Sequence, residues 1–272
     1  MPVRVSVTVC LIPEAKGGPF VLWDDLEPAL RLAADLGYDA VELFPPDPGA
    51  LDPAFVRGLL AQHRLAVSAV GSGAGWVRHK LSLTHPDAAH RAKAQAFVRG
   101  MIDFAAELGA PVIIGSMQGR WGDGVSRDQA LAFLAEGLGA LGEYARGRGT
   151  VLLYEPLNRY ETNLINTIDA GVAFLKTLAT PNVKLLADLF HMNIEEADIA
   201  GSLRAGGPHI GHIHFADSNR RPAGLGHLDF GPILDAVREM NYDGYFAAEA
   251  FPYPTPRDAA KQTIEKFREL FH

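Results

Sequence analysis

Short apolar runs punctuate the chain at residues 3–11, 40–44, 65–70, 111–114, 151–154, 183–187, 210–213 and 245–248. The run at 151–154, set between Gly149 and Pro156, has no alternation of apolar and polar positions, which is how a strand covered on both faces reads. Between these runs apolar positions recur at helical spacing. The pattern predicts one helix from Trp23-Asp24-Asp25 to Gly37, with Asp24 as its N-cap. Further helices are expected over 53–63, 86–108, 127–146, 167–178, 195–203, 232–240 and 257–271, and residues 12–22 read as a loop rich in Gly and Pro.

The helix ending at 32–41, Leu-Ala-Ala-Asp-Leu-Gly-Tyr-Asp-Ala-Val, is echoed at 104–113 by Phe-Ala-Ala-Glu-Leu-Gly-Ala-Pro-Val-Ile, 72 residues later. Both segments read as helix end, C′ glycine, tight loop and strand. The interval is about two βα units, so the architecture repeats. Roughly eight strands, each followed by a helix, is the count that closes a (β/α)8 TIM barrel. With no composition break or charge run dividing the chain, residues 1–272 read as a single α/β domain.

Composition narrows the function. Apolar residues make up 48% of the chain and no run of about 18 apolar residues occurs, so a globular protein without membrane spans is expected. Met1-Pro2-Val3-Arg4 leads straight into strand-like sequence, which predicts no signal peptide and a cytoplasmic location. A formal charge of −7 without a basic block argues against a nucleic-acid partner. The one cysteine, Cys10, allows neither an internal disulfide nor a cysteine zinc cage and reads as buried filler. Gly71-Ser72-Gly73-Ala74-Gly75 lacks the lysine and hydroxyl of a phosphate loop, and no helix is expected directly after it. It reads as a flexible loop at the barrel mouth.

Four successive apolar runs lead into metal-capable side chains: Glu155, Asp188, His214 and Glu249, spaced by 33, 26 and 35 residues. Such intervals suit a strand, a crossover helix and two loops. Barrel active sites are built at the C-terminal ends of strands, so these four side chains are expected to converge. Any one acid after a strand reads equally well as a helix cap; four in succession is the informative pattern. Three converging carboxylates must protonate or hold a cation. Oxygen-rich ligation with a single imidazole suits Mn²⁺ first, then Mg²⁺ or Co²⁺, with Zn²⁺ still open. His212 shares a strand face with His214 and reads as either support for that ligand or a satisfied core histidine. His63, His79, His85, His90, His209, His227 and His272 read as ordinary helix, loop or terminal residues.

The segments Glu155-Pro156-Leu157-Asn158-Arg159-Tyr160-Glu161-Thr162-Asn163, Asp188-Leu189-Phe190-His191-Met192-Asn193, His212-Ile213-His214-Phe215-Ala216-Asp217-Ser218-Asn219-Arg220 and Ala248-Glu249 resemble the xylose-isomerase-like barrel superfamily. More narrowly they resemble its ketose 3-epimerase group, which acts on D-tagatose, D-psicose and L-ribulose. The resemblance implies one divalent metal held by Glu155, Asp188, His214 and Glu249, an acid/base pair of Glu155 and Glu249, and contacts from Glu161, His191 and Arg220 to sugar oxygens. It also implies a small-molecule sugar as partner and a homodimer or homotetramer as assembly. Phe251-Pro252-Tyr253-Pro254 could serve a lid or an interface.

Chemistry gives the assignment a mechanism. Inverting C3 of a ketose or keto-sugar acid requires removing a proton beside a carbonyl, and the metal-bound enediolate so formed needs charge stabilisation. Two carboxylates on opposite faces of the carbon can remove one proton and return another. An aldose–ketose or hydroxypyruvate isomerase on the same scaffold would share the enediolate and differ in where the proton returns. A barrel nuclease of the endonuclease IV type would need more histidines and a basic face, and a metal-stabilised binding module would need no proton transfer. Arg120 and Trp121, after the fourth strand, are further candidates for substrate binding, Arg120 as partner to an acidic substrate group.

Overall fold

The computed structural model describes residues 3–271. The readings of Met1-Pro2 as the start of the fold and of His272 as an ordinary terminal residue lie outside the described residues. In chain order the elements are β1 (Arg4–Cys10), β2 (Leu22–Trp23), α1 (Leu26–Leu36), β3 (Ala40–Phe44), α2 (Pro53–His63), β4 (Ala66–Gly71), α3 (Ala74–His79), α4 (Ala88–Glu107), β5 (Val112–Ile114), α5 (Arg127–Gly147), β6 (Leu152–Tyr154), α6 (Ile168–Leu175), β7 (Val183–Asp188), α7 (Leu189–Glu195), α8 (Ile199–Gly206), β8 (Ile210–His214), α9 (Phe230–Glu239), β9 (Tyr245–Ala248) and α10 (Pro256–Phe271). From β3 to β9 each strand pairs parallel with the next, and β1 pairs with both β3 and β9. An eight-stranded parallel barrel is thereby closed, with helices outside it: the expected (β/α)8 TIM barrel.

Local chemistry explains most boundaries. Gly37 and Gly109 both take positive φ, +86° and +66°, and in each the glycine and its successor donate to the last helical carbonyls, Ala34 and Ala33 in one case, Ala106 and Ala105 in the other. The repeated helix ending is thus one capping motif used twice. Helix α5 begins on a reciprocal capping box between Ser126 and Gln129. No helix among the described residues is long and apolar enough to cross a membrane.

Some expectations need correction. Asp24 is not the cap of α1: it sits at φ +72° and pairs with Lys16, while Asp25 holds the cap position without a side-chain bond. The 12–22 loop runs into a two-residue strand, β2, whose second residue, Trp23, falls where the helix was expected to begin. A helix, α3, does begin in the glycine stretch at Ala74, because Gly71 and Gly75 let the backbone lie against Phe44 and Met117, where a Cβ would sit 2.2 and 2.4 Å away. The helix expected over 195–203 is α8, which starts at Ile199 on an Asp198 cap, and an unexpected short helix, α7, precedes it on an Asp188 cap.

Outward-facing strand residues pack under the helices in one continuous core, whereas Ala69, Ile113, Leu153 and Leu186 form a separate small cluster. The alternation of a strand puts Glu155 on the same face as Leu153 and Asp188 on the same face as Leu186, two residues further toward the C-terminal end. Polar groups share the buried strand layers too: Ser68 donates to Ser6 at 2.8 Å, and Glu42 and His212 are fully enclosed.

One seam in the wall bears on the site. The lower half of β1, Arg4 to Val7, pairs with β9, and its upper part, Val9 and Cys10, pairs with β2. Thr8 joins the two. Its hydroxyl donates to the carbonyl of Ala248 at 2.8 Å and accepts from the N–H of Val21 at 2.9 Å. Strand β9 therefore ends at Ala248, and Glu249 leaves the ladder.

Candidate metal centre and substrate cavity

Glu155, Asp188, His214 and Glu249 meet at the C-terminal ends of β6 to β9. One donor atom from each lies within 4.8 Å of the others, and all four residues are buried. Asp188 does two jobs. Its Oδ1 accepts the N–H groups of Phe190 and His191, capping α7, and its Oδ2 faces His214 Nδ1 at 3.0 Å and the Arg220 guanidinium. The helix cap thus fixes which oxygen turns to the centre. Glu155 is placed from behind: Tyr154 donates its hydroxyl to Gln118 Oε1 at 2.7 Å, and Gln118 Nε2 donates to the carbonyls of Gly115 and Glu155, both at 3.0 Å. Gly115 adds the last constraint, since a Cβ there would lie 2.5 Å from Glu155 Oε2.

The electrostatics describe a site short of positive charge. Burial raises the Glu155 carboxyl above its usual range, and Glu249 adds to that rise against the pull of His214. Asp188 is held well below the usual range: burial works against its charge, but Arg220 and the neighbouring histidines outweigh it. His214 is pushed well above the ordinary imidazole range despite burial, because Glu249, Glu42 and Asp188 surround it. Glu155 Oε1 is buried without a hydrogen-bond partner, 3.4 Å from His214 Nδ1. An orphaned carboxylate oxygen inside a four-donor cluster fits a divalent cation, and the donor set of three carboxylates and one imidazole suits an oxygen-preferring metal.

Above the cluster opens a cavity of about 440 Å³. Glu155 and Glu249 line it, whereas Asp188 and His214 stay beneath. Ile12, Phe20, Phe44, Val77 and Phe251 give it apolar lining, and Glu14, Glu161, His191 and Arg220 join the two glutamates as its polar lining. Asn158 Nδ2 lies 2.8 Å from His191 Nδ1 and 3.0 Å from Glu161 Oε1. An amide nitrogen only donates, so His191 Nδ1 accepts and the ring carries its proton on Nε2, the nitrogen 3.8 Å from Glu155 Oε1. Arg220 is buried, at φ +60°, with its guanidinium against Asp188 and Glu249 and stacked 5.0 Å from the Phe190 ring. Its loop is pinned by Asp217, which accepts backbone N–H groups of Ser218, Gly224 and Leu228.

Seven of the expected site residues are brought together. Arg120 and Trp121 are not among them: neither lines the cavity, and the Trp121 indole donates to the Asn163 carbonyl at 2.9 Å on the outer surface. The loop after β5 turns at Gly119, whose φ of +83° and close approach to Thr84 leave no room for a side chain, and it is fastened beside Thr162 and Asn163. Sequence reasoning missed Glu42. It sits in the middle of β3 with no exposure, Oε2 2.6 Å from His212 Nε2 and Oε1 3.1 Å from His214 Nε2. Both histidines hold it down to about pKa 2 although burial alone would raise it. The available signal was a lone carboxylate inside the otherwise apolar run Ala40-Val41-Glu42-Leu43-Phe44.

A closed parallel barrel whose mouth gathers four buried donors able to hold a cation, beneath a cavity lined by both apolar and polar side chains, is the architecture of a barrel with a candidate metal centre and a small-molecule site. The chain belongs to the xylose isomerase-like TIM barrel family, whose model matches residues 30–270. It is 32% identical over 248 residues to an L-ribulose 3-epimerase of Methylomonas sp. (strain DH-1), covering 90% of this chain and 85% of that one. A D-psicose 3-epimerase of Agrobacterium fabrum (strain C58) is 32% identical over 228 residues, 82% of this chain and 78% of the relative. Among solved structures, a D-allulose 3-epimerase from Methylomonas sp. in complex with D-allulose superposes with a TM-score of 0.83 at 26% identity, covering 99% of this chain and 98% of that one. These relatives are isomerase-class enzymes, and epimerase chemistry is the activity the kinship supports.

Proposed function

We propose that the protein is a metal-dependent epimerase that inverts C3 of a neutral ketose, with Glu155 and Glu249 as the proton-transferring pair. One observation carries this reading: of the four clustered donors, only the two glutamates also reach the cavity wall. Each can therefore touch a substrate carbon as well as a cation. A divalent ion held by Glu155, Asp188, His214 and Glu249 would supply Lewis-acid stabilisation of charge developing on the substrate's carbonyl and neighbouring hydroxyl oxygens.

The chain's own groups account for the rest. One glutamate takes the C3 proton and the other delivers a proton to the opposite face. The Nε2 proton of His191 and the guanidinium of Arg220 donate to sugar oxygens, and Glu161 accepts from a hydroxyl. Neutrality of the substrate follows from the lining. Glu14, Glu155, Glu161 and Glu249 stand against a single arginine, which is already paired with Asp188 and Glu249. Away from the metal, a carboxylate or phosphate on the sugar would meet no unpaired cationic side chain among the lining residues. Apolar Ile12, Phe20 and Phe44 fit the carbon end remote from the reaction.

The test is product analysis by NMR in D₂O, after chelation and reloading with Mn²⁺, across a panel of neutral ketoses. Deuterium at C3 of both epimers is expected, and Glu155→Gln or Glu249→Gln should lower turnover by about 10²–10⁴-fold. Formation of an aldose with deuterium at its C2, or deuterium at C1 of the recovered ketose, would replace the epimerase by the isomerase alternative.

A further inference from the structure

We infer that Glu42 is a positioning residue for the metal centre: its carboxylate accepts the Nε2 proton of His214 and so leaves Nδ1, the nitrogen facing the three acids, as the ring's only lone pair. The inference rests on the reading of Glu155, Asp188, His214 and Glu249 as a cation site.

The geometry assigns the two ring nitrogens different partners. His214 Nε2 lies 3.1 Å from Glu42 Oε1, on the side away from the cavity. Its Nδ1 lies 3.0 Å from Asp188 Oδ2, 3.3 Å from Glu249 Oε2 and 3.4 Å from Glu155 Oε1. A neutral imidazole carries one proton, and a metal-binding nitrogen cannot carry it. A carboxylate only accepts, so placing one at Nε2 selects the tautomer the centre needs. His212 completes the device by donating to the other oxygen of Glu42 at 2.6 Å, which fixes the plane of the carboxylate. Glu42, His212 and His214 also form a compact trio of donors deep in the barrel, but it is a poor second metal site. Two ligands held about 2.0–2.2 Å from one ion lie roughly 3 Å or more apart. The 2.6 Å separation of His212 and Glu42 is that of a direct hydrogen bond.

Calorimetric titration with Mn²⁺ after chelation tests the assignment, comparing wild type with Glu42→Gln, whose neutral amide is a weaker acceptor and presents a donor on one side. The variant is expected to bind Mn²⁺ about 10–100-fold more weakly, the range for loss of a partner to a ligating histidine. A purely structural role would lower thermal stability and leave the dissociation constant within about twofold of wild type, and that result overturns the inference. Should the variant not fold, ring ¹⁵N–¹H correlation spectra of the Mg²⁺-loaded wild type decide the matter. A slowly exchanging, strongly deshielded proton on His214 Nε2 is expected, and a proton on Nδ1 overturns the inference. Failure of wild type to bind any divalent ion would instead remove the metal-site reading itself, and this is measured before any variant is made.

Discussion

Arg220 offers the sharpest test of the charge balance. Its guanidinium is enclosed, 4% exposed, between Asp188 and Glu249, themselves 1% and 8% exposed. Arg220→Met keeps the length of the side chain and its contact with the Phe190 ring while deleting the charge. Two carboxylates are then left buried without their partner, and breaking such an arrangement costs about 3–5 kcal/mol. For a domain of this size that corresponds to a melting temperature lower by about 6–20 °C. The measurement is a melt followed by circular dichroism, backed by urea denaturation, with chelator and then with Mn²⁺. In chelator the full deficit should appear. At Mn²⁺ concentrations about 100-fold above each protein's dissociation constant, binding adds about 2.7 kcal/mol to either one, so the loaded variant should approach the stability of the chelated wild type while remaining below the loaded wild type. The pH dependence has a definite sign. Asp188 is depressed in the folded wild type, so its contribution is full above the ordinary carboxylate range and is lost as pH falls through its folded value. The gap between wild type and variant must therefore be widest near neutrality and shrink in acid. A chelated variant within about 1 kcal/mol of wild type at neutral pH would refute the argument, because two buried anions would then tolerate each other unaided.

Two further substitutions separate placement from chemistry. Gly115→Ala sets a methyl 2.5 Å from Glu155 Oε2 and should reduce kcat by about 10-fold or more while shifting stability little, since the mouth is open to relaxation; turnover and melting measured on the same sample check both halves. Asp217→Asn removes one of the two carboxylate oxygens that take N–H groups of Ser218, Gly224 and Leu228, costing about 1–3 kcal/mol in urea denaturation, and loosens the loop that carries Arg220, so KM should rise more than kcat falls. Because those N–H groups hold Asp217 below its usual range against the opposing effect of burial, its contribution is present at neutral pH and disappears as pH drops below about 4.

Much of this architecture was legible because barrel strands put chemistry at a fixed place. Glu155, Asp188, His214 and Glu249 could be picked out since each follows an apolar run, and parallel strands share one C-terminal end. The glycine-capped helix ending was readable twice because it depends on a few consecutive residues. What escaped was non-local. Glu42 satisfies its charge through two histidines 170 and 172 residues away, and no spacing rule links a mid-strand acid to β8. Strand β2 is only two residues long and exists because β1 has free ladder groups there. Asp188 hid a helix start because one carboxylate serves both a backbone cap and the centre, and the sequence pattern shows only that an acid follows a strand. Chain position after the fourth strand makes Arg120 a candidate for an acidic substrate group, but position alone does not settle which loop residues line the cavity, and Arg120 does not line it.

The Thr8 junction ties two segments of the chain to one hydroxyl. The segment roofing the apolar side of the cavity returns to the wall at Val21, and the strand carrying Glu249 departs from it at Ala248; both are fastened to the same oxygen. Any lengthening or re-routing of that roof to admit a different sugar would tug on the very carboxylate that must meet the reacting carbon. Remodelling substrate scope and preserving proton transfer are therefore mechanically coupled, and variants of the roof that keep turnover should be those that leave this fastening untouched.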